Sequence, residues 1–259
     1  MKKIYYFIVA CLCFFVGNSV HANSISNITM DIYIDKMGTA HVKETWEGYL
    51  DEGTEGYKPY YNLGNSVISN FKVYDNEYLY TIQSDWDPSA SFSAKAYKNG
   101  IHYISDGIEL CFGISTYGYH TYVLEYDISN FVAGLTDADM VYWTLMPHNF
   151  SVEPNNVYIK IYADEKFEDT LDVWGYGNYG GYAYVYDGYI EMESNGTLDS
   201  DEYMTILVKF PKGVFNTDNN ILNHDFSYYL DMAEDGAKHY KNQNRLNAIL
   251  MIITSIISL

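Results

Sequence analysis

The sequence is poor in cysteine and in basic residues, and each shortage excludes a class of protein. Of its three cysteines, Cys11 and Cys13 lie in an apolar N-terminal stretch, and only Cys111 lies beyond it. Without that stretch no intramolecular disulfide can form, and Cys111 is expected to be a small buried residue. Lys and Arg number 15 against 34 Asp and Glu, so the formal net charge is −19. A field of this sign repels phosphate backbones and excludes nucleic acid as a partner.

The sequence also lacks the strings that mark common catalytic sites. It contains no G-x-S-x-G elbow, no H-E-x-x-H zinc helix and no Walker loop. Its seven histidines are scattered, and His41, His102 and His120 fall in predicted strands, where surface or core roles are commoner than metal ligation. We therefore expect no catalytic residue, no metal ligand and no cofactor, and predict that the protein is not an enzyme.

The first 22 residues have the three parts of a secretory signal peptide. Lys2 and Lys3 form the positive region, residues 4–16 form the apolar region, and Val20-His21-Ala22 provides the small residues of a cleavage site. Thirteen apolar residues are too few to span a bilayer core of about 30 Å. Cleavage after Ala22 would export a mature chain with 13 basic and 34 acidic residues, a net charge of −21.

Between residues 28 and 210 apolar and polar residues alternate with a period of two, which is typical of β-strands. The strands are short, and turn residues recur about every 8 to 12 positions. This spacing favours an all-β fold over a parallel sheet with intervening helices. We expect a single extracytoplasmic β-sandwich of antiparallel strands over residues 23–215.

Three segments carry specific predictions of local structure. Residues 28–34 and 39–49 are predicted to form a β-hairpin around the turn at residues 35–38. Residues 50–65 are rich in Gly and Tyr and contain a proline, which predicts a long loop. Lys98-Asn99-Gly100 is predicted to be a type I′ turn, because Asn-Gly accepts positive φ angles.

The C-terminal part changes character. Residues 223–245 have apolar residues at helical spacing and are predicted to form a juxtamembrane helix with Asn223 as its N-cap. Residues 246–259 are uncharged, but the twelve residues 248–259, nine of them apolar, span only about 18 Å as a helix. We expect part of a transmembrane segment, with the membrane as partner; a tail lying on the membrane or against the domain is the alternative.

Four stretches follow one another in the order found in a known family. They are a strand–turn–strand with a V-x-E motif, a Tyr-rich strand, a Tyr-Trp strand and an F-P-x-G close, at residues 28–45, 119–126, 140–143 and 210–213. In this order they resemble domain of unknown function 2207 of predicted bacterial membrane proteins. The resemblance implies a signal peptide, an extracytoplasmic β domain and transmembrane helices, with no established activity. Tyr57-Lys58-Pro59 departs from the Arg-Pro loop that the family often has.

The candidate ligand-binding residues lie in the stretch 174–182. Trp174, Tyr176, Tyr179 and Tyr182 alternate with glycines there. Glycine lets a ligand approach the backbone and the aromatic rings offer flat platforms, as in glycan or peptide recognition. A Gly-Tyr loop without any ligand has the same composition.

Acidic residues offer two further candidates. Asp85 and Asp87 flank Trp86, and an aromatic residue beside paired carboxylates is typical of sugar-cleaving sites, but a solvated turn before a proline is the favoured interpretation. The acidic runs at residues 164–169 and 199–202 supply oxygen atoms suited to calcium, but neither has the spacing of a known calcium loop.

Three functions follow from these observations. The favoured one is a non-catalytic extracytoplasmic domain of a membrane protein, acting in interaction or envelope scaffolding, with a cell-wall glycan or a surface protein as partner. The second is a secreted carbohydrate-binding or carbohydrate-active protein, and the third is a free adhesin. Convergence of carboxylates in a pocket would favour an enzyme.

Overall fold

The computed structural model describes residues 23–148, 150 and 152–239. Sixteen strands lie in this part of the chain, together with a short helix, Phe92–Lys95, and a longer one over residues 226–239. The strands are β1 Ser24–Ile34, β2 Ala40–Leu50, β3 Glu55–Tyr61, β4 Ile68–Asp75, β5 Tyr78–Leu79, β6 Thr81–Gln83, β7 Lys98–Ile104, β8 Gly107–Gly113, β9 Gly118–Ile128, β10 Val132–Gly134, β11 Ala138–Met146, β12 Val157–Ala163, β13 Asp172–Tyr176, β14 Tyr182–Tyr186, β15 Tyr189–Glu193 and β16 Met204–Pro211.

The strands form three sheets. The large sheet has the order β14-β15-β12-β1-β2-β9-β4-β5, and the two smaller ones have the orders β10-β11-β16-β13 and β3-β8-β7-β6. Strand β1 pairs with β12 in parallel, and β6 pairs with β7 in parallel. The fold is thus mostly β, as predicted, but the expectation of purely antiparallel strands is wrong. A period of two reports which face a residue occupies and carries no information about strand direction.

One face of the large sheet lies in the core. In β1, Ile28, Met30, Ile32 and Ile34 are all buried, whereas the residues between them are not. These side chains belong to one apolar cluster with residues of both smaller sheets, among them Leu110, Phe112, Val141, Ile206 and Val208. The large sheet therefore packs through one face on both smaller sheets, which is the layered arrangement that a sandwich requires.

The core also encloses an ion pair. Lys58 and Glu44 have no exposed side-chain surface, and Lys58 Nζ lies 2.7 Å from Glu44 Oε1. Trp46 Nε1 donates to Glu44 Oε2 at 2.9 Å, and the Tyr126 hydroxyl donates to Glu44 Oε1. The hydroxyls of Tyr60 and Tyr126 lie 2.6 Å apart. Burial lowers the pKa of Lys58 despite the attraction of Glu44, because a desolvated ammonium group is unfavourable.

The first hairpin is confirmed. Strands β1 and β2 are antiparallel neighbours on either side of the predicted turn. The carboxylate of Asp35 accepts hydrogen bonds from the backbone N–H groups of Met37 (2.8 Å) and Thr39 (3.0 Å). Gly38 has φ 73°, a left-handed conformation that glycine adopts without strain. The turn therefore has the geometry that its sequence predicts.

The predicted loop at residues 50–65 is wrong, because it contains strand β3. Pro59 lies within this strand, opposite Glu109 of β8. β3 is at the edge of its sheet, so a residue without an N–H group can be placed where no neighbour requires a donor. The proline therefore indicates an edge strand and not a loop.

The predicted turn at Lys98-Asn99-Gly100 is also wrong, because these residues begin strand β7. The side chain of Asn99 is buried and donates to the carbonyl oxygen of Phe71 at 3.1 Å. A Cβ atom on Gly100 would lie 2.7 Å from the carbonyl oxygen of Gln83. Both residues thus serve close packing within a sheet, which the short-range Asn-Gly signal does not reveal.

The helix at residues 226–239 begins two residues after the position that Asn223 as N-cap would give. Asp225 is the capping residue: its carboxylate accepts hydrogen bonds from Tyr228 N at 3.1 Å and from Ser227 Oγ at 2.9 Å. These hydrogen bonds lower the pKa of Asp225. Asn223 is not in the helix, so the predicted cap is corrected to Asp225.

We predict that Asp225→Ala lowers the urea midpoint of unfolding, since the backbone N–H group of Tyr228 in the first turn loses its acceptor. The effect should be present near neutral pH and diminish as the pH falls through the lowered pKa of Asp225, where the wild-type carboxylate is itself protonated. Asn223→Ala is the matched control and should leave the midpoint nearly unchanged. A larger loss for Asn223→Ala would contradict the assignment.

Candidate functional site

The face of the large sheet that is turned away from the core carries an aromatic row. Cross-strand pairing places Tyr186 beside Tyr189, and Tyr33 between Tyr162 and His41. The ring centroids of Tyr189 and Tyr162 lie 6.3 Å apart, those of Tyr162 and Tyr33 5.6 Å, and those of Tyr33 and His41 5.7 Å. The row therefore crosses five adjacent strands, β14, β15, β12, β1 and β2.

A charge row lies beside the aromatic row, two residues away from it along each strand that the two rows share. Its members alternate in sign across six adjacent strands and are, in order, Glu191, Lys160, Asp31, Lys43, Glu125 and Lys72. We call the aromatic row and the charge row together the outer face. Three ammonium groups and three carboxylates make the charge row neutral as a whole.

All residues of the outer face except Tyr186 and Glu191 line a groove of about 870 Å³. His41 is held in the wall of this groove, because its Nδ1 lies 2.7 Å from Asp127 Oδ1 and its Nε2 lies 3.5 Å from Asp35 Oδ2. Asn70 donates to the second oxygen of Asp127 at 2.6 Å. The aromatic row thus ends at the His41 imidazole, which two carboxylates hold in position.

Contacts around the rings hold the aromatic row in place. The Tyr33 hydroxyl donates to Asp164 Oδ1 at 2.7 Å, and this hydrogen bond raises the pKa of Tyr33. Lys160 Nζ lies 3.6 Å from the centroid of the Tyr189 ring, a cation–π contact. By contrast, Lys43 and Lys72 are exposed and take part in no ion pair among the described residues. The ammonium groups of these two lysines therefore remain available as hydrogen-bond donors to a ligand.

Two of the predicted ligand-binding residues lie under the C-terminal helix. Trp174 and Tyr176 are both in β13, and the Trp174 ring packs against Phe226 at 5.4 Å. Both belong to a second apolar cluster that includes residues of that helix. Burial raises the pKa of Tyr176 to about 12. In this position the two rings pack against other parts of the chain.

The other two predicted ligand-binding residues lie elsewhere. Tyr179 is in the turn after β13 and is 85% exposed. Tyr182 begins β14, where its hydroxyl donates to Glu193 and its ring lies 5.3 Å from that of Tyr184. The four residues are therefore not brought together, and only Tyr182 lies on the same side of the large sheet as the outer face.

Trp86, Asp87 and Cys111, which the sequence also singles out, are buried or hydrogen-bonded within the domain. Trp86 is buried and donates to Glu55 at 2.6 Å, while Asp87 accepts two hydrogen bonds from Ser89 that lower its pKa. Cys111 is buried, as predicted, and burial raises the pKa of its thiol, which makes it a poor nucleophile.

The three strand histidines each contact a carboxylate. His102 Nδ1 lies 2.8 Å from Glu109, and His120 Nδ1 lies 3.0 Å from Asp75 in a buried cluster. Across residues 23–239, apart from 149 and 151, no group of three or more His, Cys, Asp or Glu side chains is arranged to hold a metal ion. Within that part of the chain, the acidic runs at residues 164–169 and 199–202 do not form such a group.

Fold and outer face define a mostly-β domain built on a mixed eight-stranded sheet. Its sequence matches the family model described as the N-terminal domain of predicted membrane proteins, DUF2207, over residues 24–210. The chain belongs to this family, which confirms the resemblance seen in the sequence. No match was found among curated proteins.

Solved structures resemble the chain only distantly. Yeast LTA4 hydrolase in complex with bestatin matches with a TM-score of 0.48 and 8% identity, covering 78% of this chain and 32% of the hydrolase. An M1 zinc metallopeptidase from Deinococcus radiodurans matches with a TM-score of 0.35 and 10% identity, covering 75% of this chain and 44% of the metallopeptidase. A putative nutrient binding protein from Legionella pneumophila matches with a TM-score of 0.39 and 9% identity, covering 71% of this chain and 66% of the Legionella protein. The chain thus spans about a third of the hydrolase, and likeness at this level carries no conclusion about function.

Among the described residues, no helix is both long and apolar enough to cross a bilayer. The predicted signal peptide, residues 1–22, and the predicted transmembrane segment, residues 246–259, lie outside the described residues. Of the predicted juxtamembrane helix at 223–245, residues 226–239 are described and helical. The division of the chain into these segments stays a prediction.

Proposed function

We propose that this chain is a non-catalytic extracytoplasmic domain of a membrane protein, and that it acts in the cell envelope by holding a partner on its outer face. Membership of a family of predicted membrane proteins supports the first part. The predicted signal peptide of residues 1–22 supports export. The observation that carries the second part is the outer face itself.

The composition of this face favours binding over mere solubility. A sheet face that is exposed to solvent needs polar residues, but solubility does not require an aromatic row across adjacent strands. Tyr186 is 62% exposed, and the rings beside it are only half-buried. Tyrosine is enriched at recognition surfaces because it offers a large apolar area, a hydroxyl group and little rotamer entropy. The outer face therefore has the chemistry of a recognition surface.

We predict that the double substitution Tyr33→Ala/Tyr162→Ala reduces retention of the full chain on purified bacterial cell-wall particles at least about tenfold, because truncation of central aromatic anchors removes most of the binding energy of an interface. Retention is measured by sedimentation with the particles. Circular dichroism of each variant checks that the sheets are intact.

Tyr103→Ala is the matched control, since Tyr103 is 75% exposed but lies on β7 of a smaller sheet. It should bind as the wild type does. Lys43→Gln provides a second test that leaves every ring in place. Equal retention of all variants would refute the outer face as the binding surface. Protease added to intact cells tests the orientation separately, because an extracytoplasmic domain would be digested.

A further inference from the structure

The outer face is shaped for a linear ligand that runs across the strands. Neighbouring strands lie about 4.8 Å apart, so an aromatic row over five strands is about 19 Å long. The groove above it, about 870 Å³, is of the size that accommodates small-molecule ligands or a few units of a polymer. A chain lying along the row would contact Tyr162 and Tyr33 in succession, next to the Tyr189 ring that Lys160 contacts.

The charge row indicates what such a chain must offer. A lysine ammonium group only donates hydrogen bonds and an ionised carboxylate only accepts them, whereas a hydroxyl group does both. A ligand beside Lys160, Asp31, Lys43 and Glu125 meets donors and acceptors in strict alternation. A chain dense in hydroxyl groups satisfies both kinds without carrying a charge of its own.

The charges also exclude the polyanionic alternatives. The charge row sums to zero, and the chain as a whole has a formal net charge of −19. Its field therefore repels polymers of phosphate or carboxylate groups. Lys43 and Lys72 form no ion pairs among the described residues, so they remain available to hydroxyl groups.

We infer that the outer face binds an uncharged linear glycan, with sugar rings stacked on the aromatic row and hydroxyl groups hydrogen-bonded along the charge row. This inference rests on the proposed function and names the ligand class of the same surface. A second copy of the chain is the competing occupant, because a row of alternating charges is complementary to itself when reversed by a two-fold axis. The aromatic row and the groove favour the glycan.

Affinity electrophoresis of the full chain in mild detergent tests the inference. Native gels contain one of three neutral linear glycans, hydroxyethyl cellulose, glycol chitin or dextran, or the anionic carboxymethyl cellulose. We expect retardation by at least one neutral glycan and none by carboxymethyl cellulose. Tyr33→Ala/Tyr162→Ala and Lys43→Gln should each weaken that retardation, the former at least about tenfold, while Tyr103→Ala and Lys238→Gln should not.

No retardation in any neutral gel would overturn the glycan assignment, and retardation unaffected by the outer-face variants would do the same. If the cell-wall particles still retain the wild type and release Tyr33→Ala/Tyr162→Ala, the proposed function stands while the glycan is rejected. Sedimentation of the chain as a dimer that Lys43→Gln dissociates, without glycan binding, would assign the face to a second copy instead.

Discussion

Replacing Glu44 with glutamine is expected to lower the free energy of unfolding by about 3–5 kcal/mol, the usual cost of removing one partner of a buried ion pair. Lys58 has no exposed side-chain surface, so its ammonium group would be left without a countercharge. Trp46 and Tyr126, which donate to Glu44, would face a weaker acceptor. For a domain of 150–250 residues this corresponds to a loss of about 6–20 °C in Tm.

The double variant Glu44→Gln/Lys58→Met distinguishes the effect of the buried charges on stability from the effect of side-chain packing. It removes both charges and keeps similar volumes, so we expect it to recover much of the lost stability. Lys36→Met breaks the exposed Lys36–Glu165 pair and serves as the control, with little change expected. Urea unfolding at neutral pH measures all three variants. A Glu44→Gln variant within about 1 kcal/mol of wild type would show that the pair does not matter for stability.

Much of the fold could be predicted because local pattern and tertiary role agree. In β1 the alternation of Ile28, Met30, Ile32 and Ile34 with polar residues identifies both the strand and its core face, and the turn at Asp35 fixes the hairpin. Strands of this kind can be predicted from the pattern of residues that are close in the sequence. The sheet that contains them, however, is assembled from segments far apart in the sequence, such as β1 and β12.

The errors arise where tertiary context overrides local chemistry. Asn99 and Gly100 have the sequence of a turn, but the amide of Asn99 completes a buried hydrogen bond and Gly100 makes room for a neighbouring carbonyl group. Pro59 has the sequence of a loop, but an edge strand tolerates it. In each case the neighbouring strand determines the structure that the residue adopts.

The outer face cannot be predicted from the sequence, for a related reason. Tyr33 and Asp31 are visible in the sequence as the outward residues of a predicted strand, yet nothing local says that Tyr33 stands beside Tyr162 or that Asp31 stands beside Lys160. The parallel pairing of β1 and β12 creates both rows at that point. The aromatic residues around Trp174 are close in sequence and can be found there, whereas the residues of the outer face are close only in space.

The abundance of tyrosine predicts marked sensitivity to alkaline conditions. Burial raises the pKa values of Tyr60, Tyr80, Tyr122 and Tyr126 well above the ordinary value near 10. Since the unfolded chain then releases these protons first, stability is unaffected below about pH 10 and falls as the pH rises above it. At pH 11 each such tyrosine costs up to about 1.4 kcal/mol, so four approach the total stability of a typical domain, about 5–15 kcal/mol.

We therefore expect a cooperative loss of the sheets between about pH 10 and 12, with tyrosinate absorbance rising in the same transition as the loss of far-ultraviolet circular dichroism. Tyr122→Phe should move the midpoint to higher pH, because one buried hydroxyl no longer favours the unfolded state. Tyr103→Phe, at an exposed position, should leave the midpoint where it is. If every tyrosine ionised while the sheets were still folded, the prediction would be wrong. That result would mean that the buried hydroxyl groups reach solvent in the native state, which contradicts the burial of Tyr60 and Tyr126 in the core around Glu44.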